Sequence, residues 1–215
     1  MSSCCQPDDY DKVFDEKFAR TKAREYARNG LTRDAQRIVA FARAKLPPGY
    51  SVLEVGGGVG ALQLELLKGG AARAVNVELA TQYETVASEL IKERGLGDRI
   101  ERRLGDFVRE AATIPEADIV VLDRVVCCYP HVDALVGAAA DHARRFLFLI
   151  FPVDRWWIRA ALSLERAWFA IRGNSFRAYG HATSAVLAAA ERRGMRPVDR
   201  HRGIVWQLIA LERMD

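Results

Sequence analysis

At 215 residues, half of them hydrophobic and 28% charged, the chain has the balance of a soluble globular protein and enough length for one domain with a sizeable core. The formal net charge of +4 comes from 32 basic against 28 acidic residues, too small a surplus for a grip built on phosphate neutralisation, so no nucleic-acid partner is expected. The four cysteines form two adjacent pairs, Cys4-Cys5 and Cys127-Cys128, unlike the spaced framework of a small secreted domain; a reducing, cytoplasmic setting is expected. The polar start lacks the pattern of a signal peptide, and no run of about 18 uncharged apolar residues offers a membrane span.

Tyr10 to Arg28 carries apolar and aromatic residues at helical spacing (Val13, Phe14, Phe18, Tyr26) and predicts a helix that stops at Asn29-Gly30. Thr32 can cap a second helix with the stripe Ile38, Val39, Phe41, Ala42 and Leu46, ended by Pro47-Pro48-Gly49. The first 48 residues therefore read as a helical cap, and residues 49–215 as the main α/β unit. In that unit strands are predicted at Ser51–Val55, Ala74–Val77, Arg99–Leu104, Asp118–Leu122 and Phe146–Phe151. Helices are predicted at Gly60–Lys68, Thr81–Glu93 and Val132–Ala143, an alternation that argues for a parallel sheet covered on both faces. Helices over Asp154–Arg172 and Ala182–Arg193 follow, and the strand-like runs Arg196–His201 and Ile204–Leu211 meet at Arg202-Gly203 as a hairpin.

Val52-Leu53-Glu54-Val55 runs directly into Gly56-Gly57-Gly58-Val59-Gly60, a strand, a glycine turn and a helix start in succession. Such glycines let the backbone bend sharply and let a ligand lie against the main chain. The run also satisfies Gly56-x-Gly58-x-x-Ala61, so a dinucleotide fingerprint, and with it a nicotinamide-dependent oxidoreductase, competes. Glu54 argues against it, because a carboxylate there suits a cationic ligand and repels a pyrophosphate. Glu78, followed by Leu79, ends the next strand where an acid can take ribose hydroxyls, and Gly105-Asp106-Phe107 follows the third, where an acid and a ring can hold adenine.

Val52 to Gly60, Glu78 and Asp106-Phe107 resemble, in order, the cofactor motifs of class I S-adenosylmethionine-dependent methyltransferases. The resemblance implies a Rossmann-like seven-stranded, mostly parallel sheet with an antiparallel last strand, helices on both faces, and S-adenosylmethionine as cofactor. It implies that Glu54, Gly56, Gly57, Gly58, Gly60, Glu78, Leu79, Asp106, Phe107 and Asp123 hold that cofactor, and that the loop Asp123 to Pro130 faces the transferable methyl group. Cys128-Tyr129-Pro130, Arg145–Phe151 and Arg177–His181 are similar to segments of magnesium-protoporphyrin O-methyltransferases, with Cys128 where that family usually has histidine.

The acceptor is read as a small molecule, anionic or aromatic, with a tetrapyrrole-like compound as the narrower expectation. Tyr129, His131 and His181 are the candidate catalytic residues, with Tyr179 beside them, and packed aromatic or surface roles remain the alternative for each. No metal site is expected, because adjacent cysteines are poorly spaced for structural zinc. Arg155, Arg159, Ser163 and Arg166 form one stripe of the 154–172 helix and tryptophans much of the rest, so this helix reads as a lid, a peripheral membrane contact or a packed helix. A non-catalytic binding protein with the same pocket is the remaining alternative.

Overall fold

The computed structural model describes residues 10–171 and 176–214; Cys4, Cys5 and Arg172 lie outside them. The predicted first helix is divided. Val13 and Phe14 close a short turn on the Tyr10 carbonyl, and the Asp15 carboxylate then accepts from the Phe18 amide at 2.7 Å to start α1 (Glu16–Asn29). Gly30, at φ 70°, ends α1, and the Thr32 hydroxyl caps α2 (Arg33–Lys45) through the Ala35 amide. The alternating part follows as β1 (Ser51–Val55), α3 (Ala61–Lys68), β2 (Arg73–Glu78), α4 (Glu84–Glu93) and β3 (Ile100–Leu104). Then come α5 (Phe107–Glu110), β4 (Ala117–Asp123), α6 (Val132–His142), β5 (Ala143–Pro152), α7 (Trp156–Ile171), α8 (Thr183–Glu191), β6 (Met195–Arg202) and β7 (Trp206–Arg213).

The seven strands form one sheet in the order β3-β2-β1-β4-β5-β7-β6, with β7 antiparallel to both neighbours and the other paired strands parallel. The predicted hairpin is real, but its turn is longer than read. Gly203 N bonds to Trp206 O, and Ile204, expected in the strand, stands on the turn and is exposed. The short helix α5 was not predicted; Asp106 caps it by accepting from Val108 N at 3.0 Å.

Alternation along the strands sends two sets of side chains to opposite faces. Leu53, Val55, Val77, Val120, Leu122, Leu147 and Leu149 pack under α6 and α8. Val52, Ala74, Ile119, Val121, Phe146, Phe148 and Ile150 pack under α2 and α3. The same alternation puts Glu54, Asn76, Glu78, Arg102 and Asp123 on this second face, where apolar residues give way to polar ones toward the carboxyl ends of β1 to β4. The cap helix α1 packs over α4, burying Ala19 and Tyr26 with Val86, Leu90 and Ile91.

Candidate active site

Strand order reverses beside β1, which pairs with β2 on one side and β4 on the other, and in open α/β sheets the crevice at such a point is where ligands lie. The glycine run crosses this point. Gly56, Gly58 and Gly60 have φ of 64°, 57° and 78°, a region that side-chain-bearing residues rarely adopt. Space is a second constraint: a Cβ on Gly57 would lie 2.2 Å from Asn76 Nδ2 and 2.6 Å from Glu54 Cδ. Gly60 serves as the left-handed N-cap of α3 and does not line the cavity described below.

Beneath the loop lies a polar row that the sequence reading missed. Glu54 on β1 stands opposite Asn76 on β2, and Asn76 opposite Arg102 on β3. Arg102 Nε bonds to Glu84 Oε2 at 2.9 Å, and its Nη2 holds the Gly58 carbonyl at 3.1 Å. Gln63 of α3, like Asn76, is fully buried with both side-chain polar atoms unpaired within the protein, and Glu54 Oε2 is unpaired as well. Burial, reinforced by the negative charge of Asp123, pushes the Glu54 carboxyl up to about 8, against the pull of Arg102. An ionised carboxylate in such a place is costly unless a cation meets it.

Glu78 has a double duty. Its Oε2 accepts from the Gly58 amide at 2.8 Å and its Oε1 from the Ala80 amide at 2.9 Å, so the residue expected to bind ligand also ties the glycine loop to the end of β2. Burial pushes its carboxyl up while these two amides pull it down. Asp123 at the end of β4 is pushed up to about 6 by burial; its Oδ1 makes no hydrogen bond and faces Arg124 Nε at 3.7 Å.

These groups open onto a cavity of about 840 Å³, lined by the glycine loop, Glu54, Glu78, Leu79, Asp106, Phe107 and Asp123, and by the loop after β4. Its volume lies in the upper part of the roughly 300–1,000 Å³ range of small-molecule sites. Aromatic rings close its far side: Tyr10 and Phe14 from the N-terminal turn meet Phe176 edge-on at 5.3 and 5.5 Å, and Tyr83 lies beside Phe14. Phe107 reaches the wall, but most of its ring is in the core against His142, because Asp106 turns the chain into α5 there.

The three candidate catalytic residues part company. Tyr129 lines the cavity, its hydroxyl 3.4 Å from both Asp106 carboxylate oxygens. His131 is exposed at the N-cap of α6 and outside the lining, because the chain turns outward after Pro130. His181 is also outside it; its Nε2 bonds the Tyr129 carbonyl at 2.8 Å and its ring stacks on Tyr179, so it braces the loop. The arginine stripe of α7 does not face the cavity either. Arg159 pairs with Asp154 at 2.7 Å, and Arg166 bonds the Ala178 carbonyl and lies over Tyr179; from this helix Ile158, Ala161, Leu162 and Glu165 line the wall. Cys127 and Cys128 line it too, as free thiols.

A parallel sheet with this strand order, a reversed β7 and a glycine loop at the switch point is the class I methyltransferase fold. The solved structure of magnesium protoporphyrin IX methyltransferase from Synechocystis PCC 6803, with bound S-adenosylhomocysteine, shares it at a TM-score of 0.72 and 20% identity, over 94% of this chain and 97% of that one. An O-methyltransferase family protein from Burkholderia thailandensis matches at 0.65 and 17%, over 90% of this chain and 60% of that one. The [4+2]-cyclase SpnF matches as well, at 0.61 and 13% over 84% and 80%, so the fold by itself does not decide the reaction. No protein-family model and no curated protein sequence matches the chain.

Proposed function

We propose that the protein is an S-adenosylmethionine-dependent methyltransferase acting on a small, largely apolar aromatic acceptor, with transfer to oxygen. The observation that carries this reading is Glu54: a fully buried carboxylate with an unpaired oxygen, under a glycine loop whose cradle a single Cβ would fill. That environment asks for a cation lying against backbone, which alone compensates the cost of ionising a buried carboxyl, and a pyrophosphate offers none. The cationic amino-acid portion of S-adenosylmethionine meets the demand. Glu78 keeps lone pairs for ribose hydroxyls while it holds Gly58, and Asp106, which lines the same cavity, would accept from an adenine amino group.

When bound, S-adenosylmethionine supplies a methyl group already activated by its sulfonium, so the protein's part is alignment and exclusion of water. Tyr10, Phe14 and Phe176 form the apolar wall that orients a flat acceptor, and Val125 packs the acceptor loop onto Gly56. Tyr129, which lines the cavity with its hydroxyl 3.4 Å from the Asp106 carboxylate, is the residue that would accept or hold a hydroxyl proton. An aromatic acceptor suits the lining better than an anionic or tetrapyrrole-like one. The lining cations, Lys22 and Arg124, already face Glu25 at 2.8 Å and Asp123 at 3.7 Å, and Glu165 adds a negative charge to the wall. Oxygen as the target is supported by the likeness to the O-methyltransferase family protein.

The test is a methyl-transfer screen over phenols, carboxylates and amines, read by formation of S-adenosylhomocysteine. Phenols are expected among the substrates. Turnover of carboxylates alone would reverse the acceptor assignment, and cofactor binding with no turnover of any class would leave a binding protein.

A specific surface favours membrane contact as a further reading. Trp156 is 80% exposed and Ile204 80%, and the bond from Val153 N to Val205 O brings the β6–β7 turn alongside the start of α7. Exposed Arg155 and Arg202 flank them, the combination of apolar anchors and basic charge that settles at an anionic lipid surface. No helix among the described residues is long and apolar enough to cross a membrane. Cosedimentation with phosphatidylserine vesicles is expected, and to be lost in Trp156→Ser/Ile204→Ser; equal binding by that variant would remove the reading.

A further inference from the structure

The loop after β4 carries a chemical feature that methyl transfer does not use. Arg124, at φ 62°, is the only residue other than glycine with a positive φ among the described residues, and the turn it sets leads directly into Val126–Cys128. Because of that turn both cysteine side chains swing to one side: Cys127 Sγ lies 3.5 Å and Cys128 Sγ 3.6 Å from the same Arg124 carbonyl, and the sulfurs are 3.9 Å apart. The pair is clamped from outside by two other segments, through the Tyr10 hydroxyl on the Cys128 carbonyl at 2.5 Å and the Tyr179 amide on the Cys127 carbonyl at 2.6 Å.

That sulfur separation has a chemical meaning. A trivalent metalloid is pyramidal, so two sulfurs bonded to it at about 2.3 Å with an angle of about 95–100° stand about 3.5 Å apart, within a few tenths of an ångström of the separation here. The loop therefore holds its thiols close enough for a small closing movement to bring both onto one centre. The number of donors narrows the ligand. Structural zinc takes four, and among the described residues no group of three or more His, Cys, Asp or Glu is placed to hold a metal ion. Soft centres select thiolate. A centre needing two sulfurs and carrying an apolar substituent suits this place, because the rings of Tyr10, Phe14 and Phe176 wall the same cavity.

We propose that Cys127 and Cys128 form a dithiol site, facing the cavity, for a trivalent metalloid bearing one apolar organic group, such as a monosubstituted organoarsenical. Binding is an exchange without redox change: the arsenic–oxygen double bond of R–As=O is replaced by two arsenic–sulfur bonds, and both thiol protons leave with the oxygen as one water. The hydrogen bond between the thiols lowers the Cys127 thiol below its ordinary range and makes it the first to react, while Cys128 is pushed up. The site does not rest on the methyltransferase reading, since it is tested without cofactor.

The experiment uses phenylarsine oxide on full-length protein carrying Cys4→Ser and Cys5→Ser, so that the other adjacent pair cannot answer. Intact-mass analysis is expected to show one phenylarsenic group added with loss of one water, resistant to excess monothiol and reversed by a 1,2-dithiol. Cys127→Ser and Cys128→Ser, each checked for an unchanged thermal melt, are expected to bind at least 100-fold more weakly, and phenylarsine oxide is expected to shield both thiols from alkylation in the otherwise unchanged protein. An absent adduct, an adduct retained in either serine variant, thiols that stay open to alkylation, or stoichiometric zinc on the same pair would overturn the proposal.

Discussion

Replacing Glu54 by Gln tests the electrostatics beneath the glycine loop. The Glu54 carboxyl is pushed up to about 8, so in the free protein at neutral pH it is mostly protonated, yet a cationic ligand is held by its ionised form. Ionising it before binding costs a factor of one plus ten to the power of the gap between its pKa and the pH. That factor is roughly 100 at pH 6 and roughly 2 at pH 8, so affinity for S-adenosylhomocysteine should rise about 50-fold over this range, about 2.3 kcal/mol. Binding should also release a proton at pH 7. Calorimetry at pH 6, 7 and 8, in two buffers of different ionisation enthalpy, reads both quantities. In Glu54→Gln the affinity should be weaker at pH 8 and nearly independent of pH. Affinity that is flat or falls with pH in the unaltered protein would refute the reasoning.

The same substitution should act oppositely on stability. A carboxyl raised in the folded state from an ordinary value near 4.5 binds a proton that the unfolded chain has already lost, so Glu54 destabilises the fold as pH rises from about 4.5 through about 8. Glu54→Gln should therefore melt higher than the parent at pH 8.5, and the two should converge near pH 4; a lower melt at pH 8.5 would contradict this. Arg102→Leu removes the donor to the Gly58 carbonyl and the cation nearest Glu54, and should weaken S-adenosylhomocysteine binding at least 10-fold at pH 7, while Arg103→Leu, on the opposite face of β3, should not. Glu78→Ala loses acceptors for two backbone amides besides its ligand role, so it should abolish binding and also cost about 1–3 kcal/mol in urea unfolding, against a purely ligand-directed residue that would leave stability unchanged. Tyr129→Phe should lower kcat on any phenol acceptor while leaving cofactor affinity within about twofold; an unchanged kcat would confine Tyr129 to packing.

The sheet was legible because its central strands are nearly all apolar and alternate with periodic helices, and because Arg202-Gly203 announces a hairpin that reverses the last strand. Glu54, Glu78 and Asp123 were legible for the same reason, as each breaks an apolar run near its carboxyl end. What escaped needed the third dimension or a closer local reading. Asp15 and Asp106 are helix caps whose sequence signals, an acid three or two residues before a bonded amide, were available but were outweighed by a longer hydrophobic stripe or a ligand role. Asn76 and Arg102 look like ordinary polar residues within their strands; only the register that aligns them with Glu54 makes a row. For His131 and His181 the direction of a loop decides everything, and composition does not encode it. The arginine stripe on α7 was real as a stripe, yet Asp154 and the Ala178 carbonyl occupy two of its members away from the cavity.

The most direct test of the central claim is calorimetric titration of the same protein preparation with S-adenosylhomocysteine and with NADH. The cavity described here predicts one-to-one binding of the first, lost in Gly57→Ala because a Cβ would strike Asn76 and Glu54, and no measurable binding of the second. Binding of NADH without S-adenosylhomocysteine would contradict the account, because the buried Glu54 carboxyl would then meet no cationic group of its ligand.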